Sequence, residues 1–263
     1  MKHKFSKITG ATLVEILIGI VISVLMMAAI FTSYSAINNT YSQVIDKAKI
    51  SQTGRSIMGM LIRDIRIAGF KHFDDTSKAP SDYIPILITK NSGGCDKLQL
   101  MYADRRYNPK TSPPTYTYVT YKITYECKAS NIVDKKTTQK ISAFAVYKSK
   151  SKWNGSSWQQ ASTSTDDFLY NNELVVDHVQ DLIFNPLDKN GKLMSPTPNN
   201  LNTSNKIKVI DIAFSTRSQG EFFKKNKKKT VYSLGSKGDT NFTDKFLRET
   251  IVVTAHTRNT GLE

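Results

Sequence analysis

Two cysteines and four histidines in this 263-residue chain leave little for a zinc site. His72, His178 and His256 have no serine or cysteine partner in any recognisable nucleophile motif, so core or surface positions are expected for them. No ligand set with C-x-x-C or H-x-x-x-H spacing can be assembled, and no metal centre is expected. Asp188-Lys189-Asn190-Gly191 opens like a calcium loop but lacks a second aspartate and the closing acid; it reads as a tight turn. Asp74-Asp75 and Asp166-Asp167 read as solvated pairs in loops, and Gly235-Ser236-Lys237-Gly238 lacks the spacing of a phosphate loop. The expectation is a protein that is not an enzyme and carries no cofactor.

Charge says more. The formal net charge of +15 points to an acidic partner surface. Lys224, Lys225, Lys227, Lys228 and Lys229 crowd around a single asparagine. Such a basic loop suits DNA, anionic lipid or an acidic neighbouring subunit. A merely solvated loop is the plainer alternative, because charge alone gives non-specific affinity.

The first fifty residues set the compartment. Residues Met1 to Gly10 hold Lys2, Lys4 and Lys7 and no acid, and from Ala11 to Ile45 the only charge is Glu15. A helix over Ala11–Phe31 reaches about 30 Å, the thickness of a bilayer's hydrocarbon core. Basic residues before it and none just after it keep the N-terminus in the cytoplasm and export the rest of the chain. Cys95 and Cys127, the only thiols, are then expected to be bonded, since oxidation is the default outside the cytoplasm. A nucleophilic cysteine is the other reading, but no histidine lies near either in sequence.

Three accounts of the apolar segment remain open at this point. A cleaved signal peptide has a passable site at Ser33-Tyr34-Ser35 before Ala36. A plain single-pass anchor needs nothing more. Neither explains Glu15 in the first turn, unless the carboxylate rests at the membrane surface against the helix dipole.

The third account is a resemblance. Lys7-Ile8-Thr9-Gly10-Ala11-Thr12-Leu13-Val14-Glu15, followed by the apolar run, resembles the class III leader of type IV pilins and pseudopilins. The resemblance implies that a dedicated prepilin peptidase cuts after Gly10 on the cytoplasmic side and N-methylates Ala11, where the family usually has phenylalanine. It also implies that Glu15 meets the N-terminal amine of a neighbouring subunit and sets the axial register between helices. Opposite charges in a low-dielectric bundle offset each other's burial cost, and a buried pair is a good device for register.

Beyond Phe31 apolar residues continue at three- and four-residue steps through Ile37, Tyr41, Val44, Ala48, Ile57, Leu61 and Ile65, allowing one break near Thr53-Gly54. Arg55, Arg63, Asp64 and Arg66 fall on other faces, and Gly69 is a C-cap candidate. One helix from Thr12 to about Ala68 is expected, with Gly54 and Gly59 as kink candidates. Its end, Arg63-Asp64-Ile65-Arg66-Ile67-Ala68-Gly69-Phe70, resembles that of PilW-type minor pilins. The terminal run through Arg258-Asn259 resembles their last strand, with Thr257 in place of a leucine.

After Gly69 the period becomes two. Strands are expected at Lys97–Tyr102, Thr117–Cys127, Ile141–Tyr147, Leu174–Phe184, Ile207–Phe214 and Leu247–Ala255, with a hairpin tip between Trp153 and Trp158. Loops are expected at Asp74–Pro85, Tyr107–Pro114 and Leu187–Asn205.

These readings combine into an α+β fold of type IV pilin-like organisation, a long N-terminal helix packed on an antiparallel sheet. The expected divisions are a leader over residues 1–10, a helix over 11–69 with its span at 11–31, and an exported domain over 70–263. The resemblance implies a minor pilin in the inner membrane and then the pilus, helping to prime or support assembly. Its implied partners are other minor and major pilins, the prepilin peptidase and the inner-membrane assembly platform. The alternatives are a pseudopilin of a type II secretion system, or a pilus-tip module binding DNA or surfaces through the loop at 224–229.

Overall fold

A computed structural model describes residues 12–72, 75, 79–92, 94–108, 113, 115–133, 140, 142–161, 168–232 and 238–260. The chain divides into two compact units, Met1–Asp46 and Lys47–Glu263. One helix, α1 (Leu13–Ile67), has its first part in the former and its last turns in the latter.

In the first unit no residue of the apolar window is buried. Ser23, Thr32 and Thr40 return their hydroxyls to carbonyls of their own helix, at Gly19, Ala28 and Ala36, so these side chains add no unmet donors. Ile37, Tyr41 and Val44, which the stepping groups with the packed face, are more than half exposed. Burial begins at Ile50.

In the second unit the buried seam runs Ile50, Gly54, Ile57, Leu61, Asp64 and Ala68, alternating steps of four and three. The helix does not break at Gly54. A Cβ there would collide with the end of the Ile251 side chain, so the glycine makes room for that residue against the helix. The helix stops at Gly69, whose φ of +77° places it in the left-handed region that glycine tolerates.

The seam lies on an antiparallel sheet of eight strands: β1 (Ile86–Thr89), β2 (Lys97–Asn108), β3 (Thr115–Ala129), β4 (Phe144–Trp153), β5 (Trp158–Gln159), β6 (Tyr170–Leu187), β7 (Val209–Arg217) and β10 (Arg248–His256). Their order is β1-β2-β3-β4-β6-β7-β10, with β5 paired to β4. A separate ribbon pairs β8 (Lys227–Val231) with β9 (Thr240–Asp244). The core fills the helix-facing side with Leu98, Leu100, Tyr121, Tyr125, Phe184 and Phe214, all under 2% exposed.

The sheet curls, and hydrogen bonds link segments far apart in sequence. A one-turn helix, α2 (Leu201–Ser204), ends on a buried serine whose hydroxyl donates to Ile86 O (2.8 Å) and accepts from Ile86 N–H (3.1 Å). The Asp96 carboxylate accepts from Phe184 N–H at 3.0 Å, and Lys90 Nζ donates to Asp96 (2.8 Å) and Phe184 O (2.6 Å). Strand β6 bends at a register shift beside His178, a non-glycine residue at φ +58°. Burial holds that imidazole's pKa below its ordinary value, with Arg217 adding to the effect.

Several boundaries differ from the sequence expectation. β4 begins at Phe144 rather than Ile141 and continues through Lys148, Lys150 and Lys152. Lysines occupy that strand because Tyr125 and Tyr121 offer ring faces to Lys148 and Lys150, at 5.3 and 4.3 Å from the centroids. β2 continues to Asn108, so the expected loop at Tyr107 starts later. β1, β8 and β9 were not expected; each is four or five residues long, too short for a clear period. The Trp153–Trp158 tip does form. Its rings lie 5.5 Å apart, and Asn154 Oδ1 accepts from Ser156 and Ser157 N–H.

Candidate assembly interface

Thr12 and Glu15 open α1 as a reciprocal cap. Glu15 N–H donates to Thr12 Oγ1 at 3.2 Å, and Thr12 N–H donates to Glu15 Oε2 at 3.3 Å. The pair satisfies two of the four unpaired donors of a helix start and puts a carboxylate at its positive end. Oε2 is the oxygen used; among the described residues no donor is bonded to Oε1. Gly10 and Ala11 lie outside the described residues. From Leu13 to Phe31 the large apolar side chains are 50–80% exposed. An apolar surface of this extent marks a lipid or protein contact.

The other end of the helix is held by a buried charge. Asp64, expected on an outer face, is 2% exposed and lies in the seam, one step of three beyond Leu61. Its Oδ2 accepts from Lys148 Nζ at 2.6 Å and from the Tyr125 hydroxyl at 2.7 Å, tying α1 to β4 and β3. Burial, and next the Asp64 carboxylate, push the Tyr125 hydroxyl far above the ordinary phenol range, so it remains a donor. The alternating steps of four and three from Ile50 are the sequence signal that could have found this residue.

The C-terminal run meets the helix end. Asn259 Nδ2 donates to Arg66 O at 2.9 Å, satisfying one carbonyl of the last turn. The Asn259 carbonyl oxygen lies 2.9 Å from where a Cβ on Gly69 would sit. The two segments that carry the PilW resemblance, one on each side of the sheet domain's sequence, thus touch.

Cys95 and Cys127 are bonded, as expected, with Cα atoms 5.8 Å apart. The bond joins the start of β2 to the end of β3 across a sequence separation of 32. The chain-entropy model gives a loop of that size about 3–4 kcal/mol. Reduction is therefore expected to lower the urea midpoint of the full chain in neutral detergent. Non-reducing peptide mapping of protein isolated without reductant should recover the Cys95–Cys127 pair; two free thiols would contradict it.

Asp188 is used within its own turn. It accepts from Asn190 N–H (2.8 Å) and Lys192 N–H (2.9 Å), and these bonds hold its pKa below the ordinary carboxylate value. The lysine cluster is not a loop throughout. Lys227–Lys229 open β8, because Thr230 and the buried Val231 pair with Asn241 and Thr240. All five lysines are exposed. No group of three metal-binding side chains occurs among the described residues.

No family model matches the sequence, and no curated protein does. Among solved structures the chain is similar to a type IV-like pilin from Thermus thermophilus. The TM-score is 0.50 at 14% identity, over 80% of this chain and 95% of that one. At this identity the similarity is one of fold. The chain has a type IV pilin-like α+β fold: a long N-terminal helix whose last turns pack on a curled antiparallel sheet.

Proposed function

We propose that this protein is a minor pilin of PilW type, inserted into a type IV pilus through its N-terminal helix and helping to prime or support assembly. The carrying observation is α1 itself. It is unbroken from Leu13 to Ile67, wholly exposed along its apolar window, yet buried against a sheet in its last turns. Such a surface needs lipid around it before assembly and neighbouring helices afterwards. The type IV pilin-like fold supports the same reading.

On this reading residues 1–10 are a leader removed by the prepilin peptidase between Gly10 and Ala11, and Ala11 is N-methylated. Residues 11–31 cross the inner membrane, the helix runs to residue 69, and residues 70–263 form the periplasmic domain. Glu15 takes the amine of an adjoining subunit through the oxygen its cap leaves open. The partners are other minor and major pilins and the inner-membrane assembly platform, and the role is structural rather than enzymatic.

A sheared-pilus fraction tests this. The chain is expected there at low abundance beside the major pilin, and its deletion is expected to lower pilus number. Absence from that fraction, with secreted enzymes retained in the periplasm of the deletion strain, would transfer the chain to a type II secretion system.

A further inference from the structure

The β8–β9 ribbon is separate from the main sheet, and its root is held firmly. At the end of β9 the Asp244 carboxylate receives Arg248 Nη1 and Nη2, both at 2.7 Å, and Arg248 is 4% exposed. Partial burial opposes ionisation of Asp244, but the Arg248 and Phe246 hydrogen bonds outweigh it and hold its pKa below the ordinary value. The Arg248 guanidinium covers the Phe242 ring at 4.0 Å, and Phe222 and Phe223 stack edge to face at 5.0 Å. Backbone N–H groups of Phe222 and Phe223 both reach Lys245 O. Nearby carboxylates are thus engaged at the root: Asp244 with Arg248, and Glu221 with Lys245 at 3.4 Å.

The outward part of the ribbon is different. Lys224, Lys225, Lys227, Lys228 and Lys229 are exposed, and none forms an ion pair among the described residues. Lys227 Nζ lies 4.7 Å from the centroid of the Phe223 ring, but five ammonium groups within six residues, with no carboxylate among the described residues bound to any of them, repel one another, and an anion relieves that cost. On a strand, Lys227 and Lys229 share a face about 6.8 Å apart. Adjacent phosphates of one duplex strand, separated by a rise of about 3.4 Å and the helical turn, lie about the same distance apart. Across the ribbon these two lysines stand opposite Asp244 and Phe242, and Thr240 shares their face, while exposed Thr243 and Asn241 stand opposite Lys228 and Thr230 on the other; the hydroxyls and the amide can donate to phosphate oxygens. Among the described residues of the ribbon, Tyr232, 67% exposed just past β8, is the one large apolar side chain that is exposed.

We propose that the β8–β9 ribbon is a sequence-independent site for a nucleic-acid backbone, with Lys224, Lys225, Lys227, Lys228 and Lys229 taking its phosphates. The rooted hairpin pre-orders the cations, so little ordering is lost on binding. The site is independent of how the helix assembles. Its loss would leave N-terminal processing and pilus number unchanged.

The test uses the full chain in neutral detergent with a fluorescent 20-base-pair duplex, titrated at several salt concentrations. Each phosphate contact contributes about 0.9 to the log–log salt slope, or about 3.5-fold in affinity between 50 and 200 mM salt. Lys227→Gln with Lys229→Gln is expected to weaken binding at 50 mM salt and to reduce the slope by about 1.8, with the melting temperature unchanged. Wild-type affinity and slope in that variant would overturn the proposal. So would no binding to the duplex at 50 mM salt, equal binding to polyglutamate of matched charge, or lysine-dependent flotation with anionic phospholipid vesicles but no binding to DNA.

Discussion

Replacing Glu15 by alanine or valine is expected to leave membrane insertion and processing intact while lowering recovery of partner pilins a hundredfold or more. Removing a carboxylate makes the span more apolar, so insertion should if anything improve. The local cost is the lost helix cap, because Thr12 N–H gives up its acceptor. A cap is worth about 0.5–2 kcal/mol, and at an exposed helix start the lower end applies. Assembly suffers far more. The neighbour's amine then enters a low-dielectric helix bundle without its partner, and breaking a buried pair from one side costs about 3–5 kcal/mol. A Glu15 that only capped its helix at the membrane surface would cost well under that amount and would not affect partners. Pull-down of partner pilins at equal protein level separates the two cases. Wild-type recovery would reduce Glu15 to its capping role.

The second large effect lies in the sheet domain. Asp64→Ala leaves the Lys148 ammonium, with 9% of its side chain exposed, and the Tyr125 hydroxyl without their shared acceptor. Arg63 approaches the same carboxylate only at 3.5 Å from an exposed position and adds little. The expected loss is about 3–5 kcal/mol, a large share of the 5–15 kcal/mol that typically holds a domain. Asp64→Leu combined with Lys148→Met and Tyr125→Phe removes all three polar groups at similar volume and is expected to recover most of that loss. Urea unfolding of the full chain in neutral detergent, followed by near-UV circular dichroism, is the measurement. An equal loss in the single and triple variants would show that packing, rather than an unpaired charge, sets the cost.

The helix was legible almost to the residue, because two signals coincide: an unbroken apolar run and a glycine stop with no proline between them. The long strands were legible where aromatic and β-branched residues alternate, as in β3. Strand β4 was placed too early, because a run of lysine and serine reads as solvent-facing until the tyrosines that receive the lysines are in place. Those rings come from the neighbouring strand β3, and no local pattern announces such a contact. Asp64 was misplaced for a related reason: a carboxylate in the seam counts as polar until its lysine, 84 positions later, is paired with it. Asn259 and Gly69 were each noticed as parts of a familiar run. Their contact was not legible, since only the curl of the sheet brings the last strand's end to the helix stop. The cysteine pair was legible from compartment alone. The lysine cluster was seen as charge, but the ribbon that orders it depends on cross-strand partners such as Phe242.

The central claim, that α1 is kept as an assembly helix after a cut in the leader, is tested most directly by the mass of the mature N-terminus. Protein isolated from membranes and digested for mass spectrometry should yield an N-terminal peptide beginning at Ala11 and carrying one methyl group. A peptide beginning at Ala36, or an intact Met1, would contradict the account.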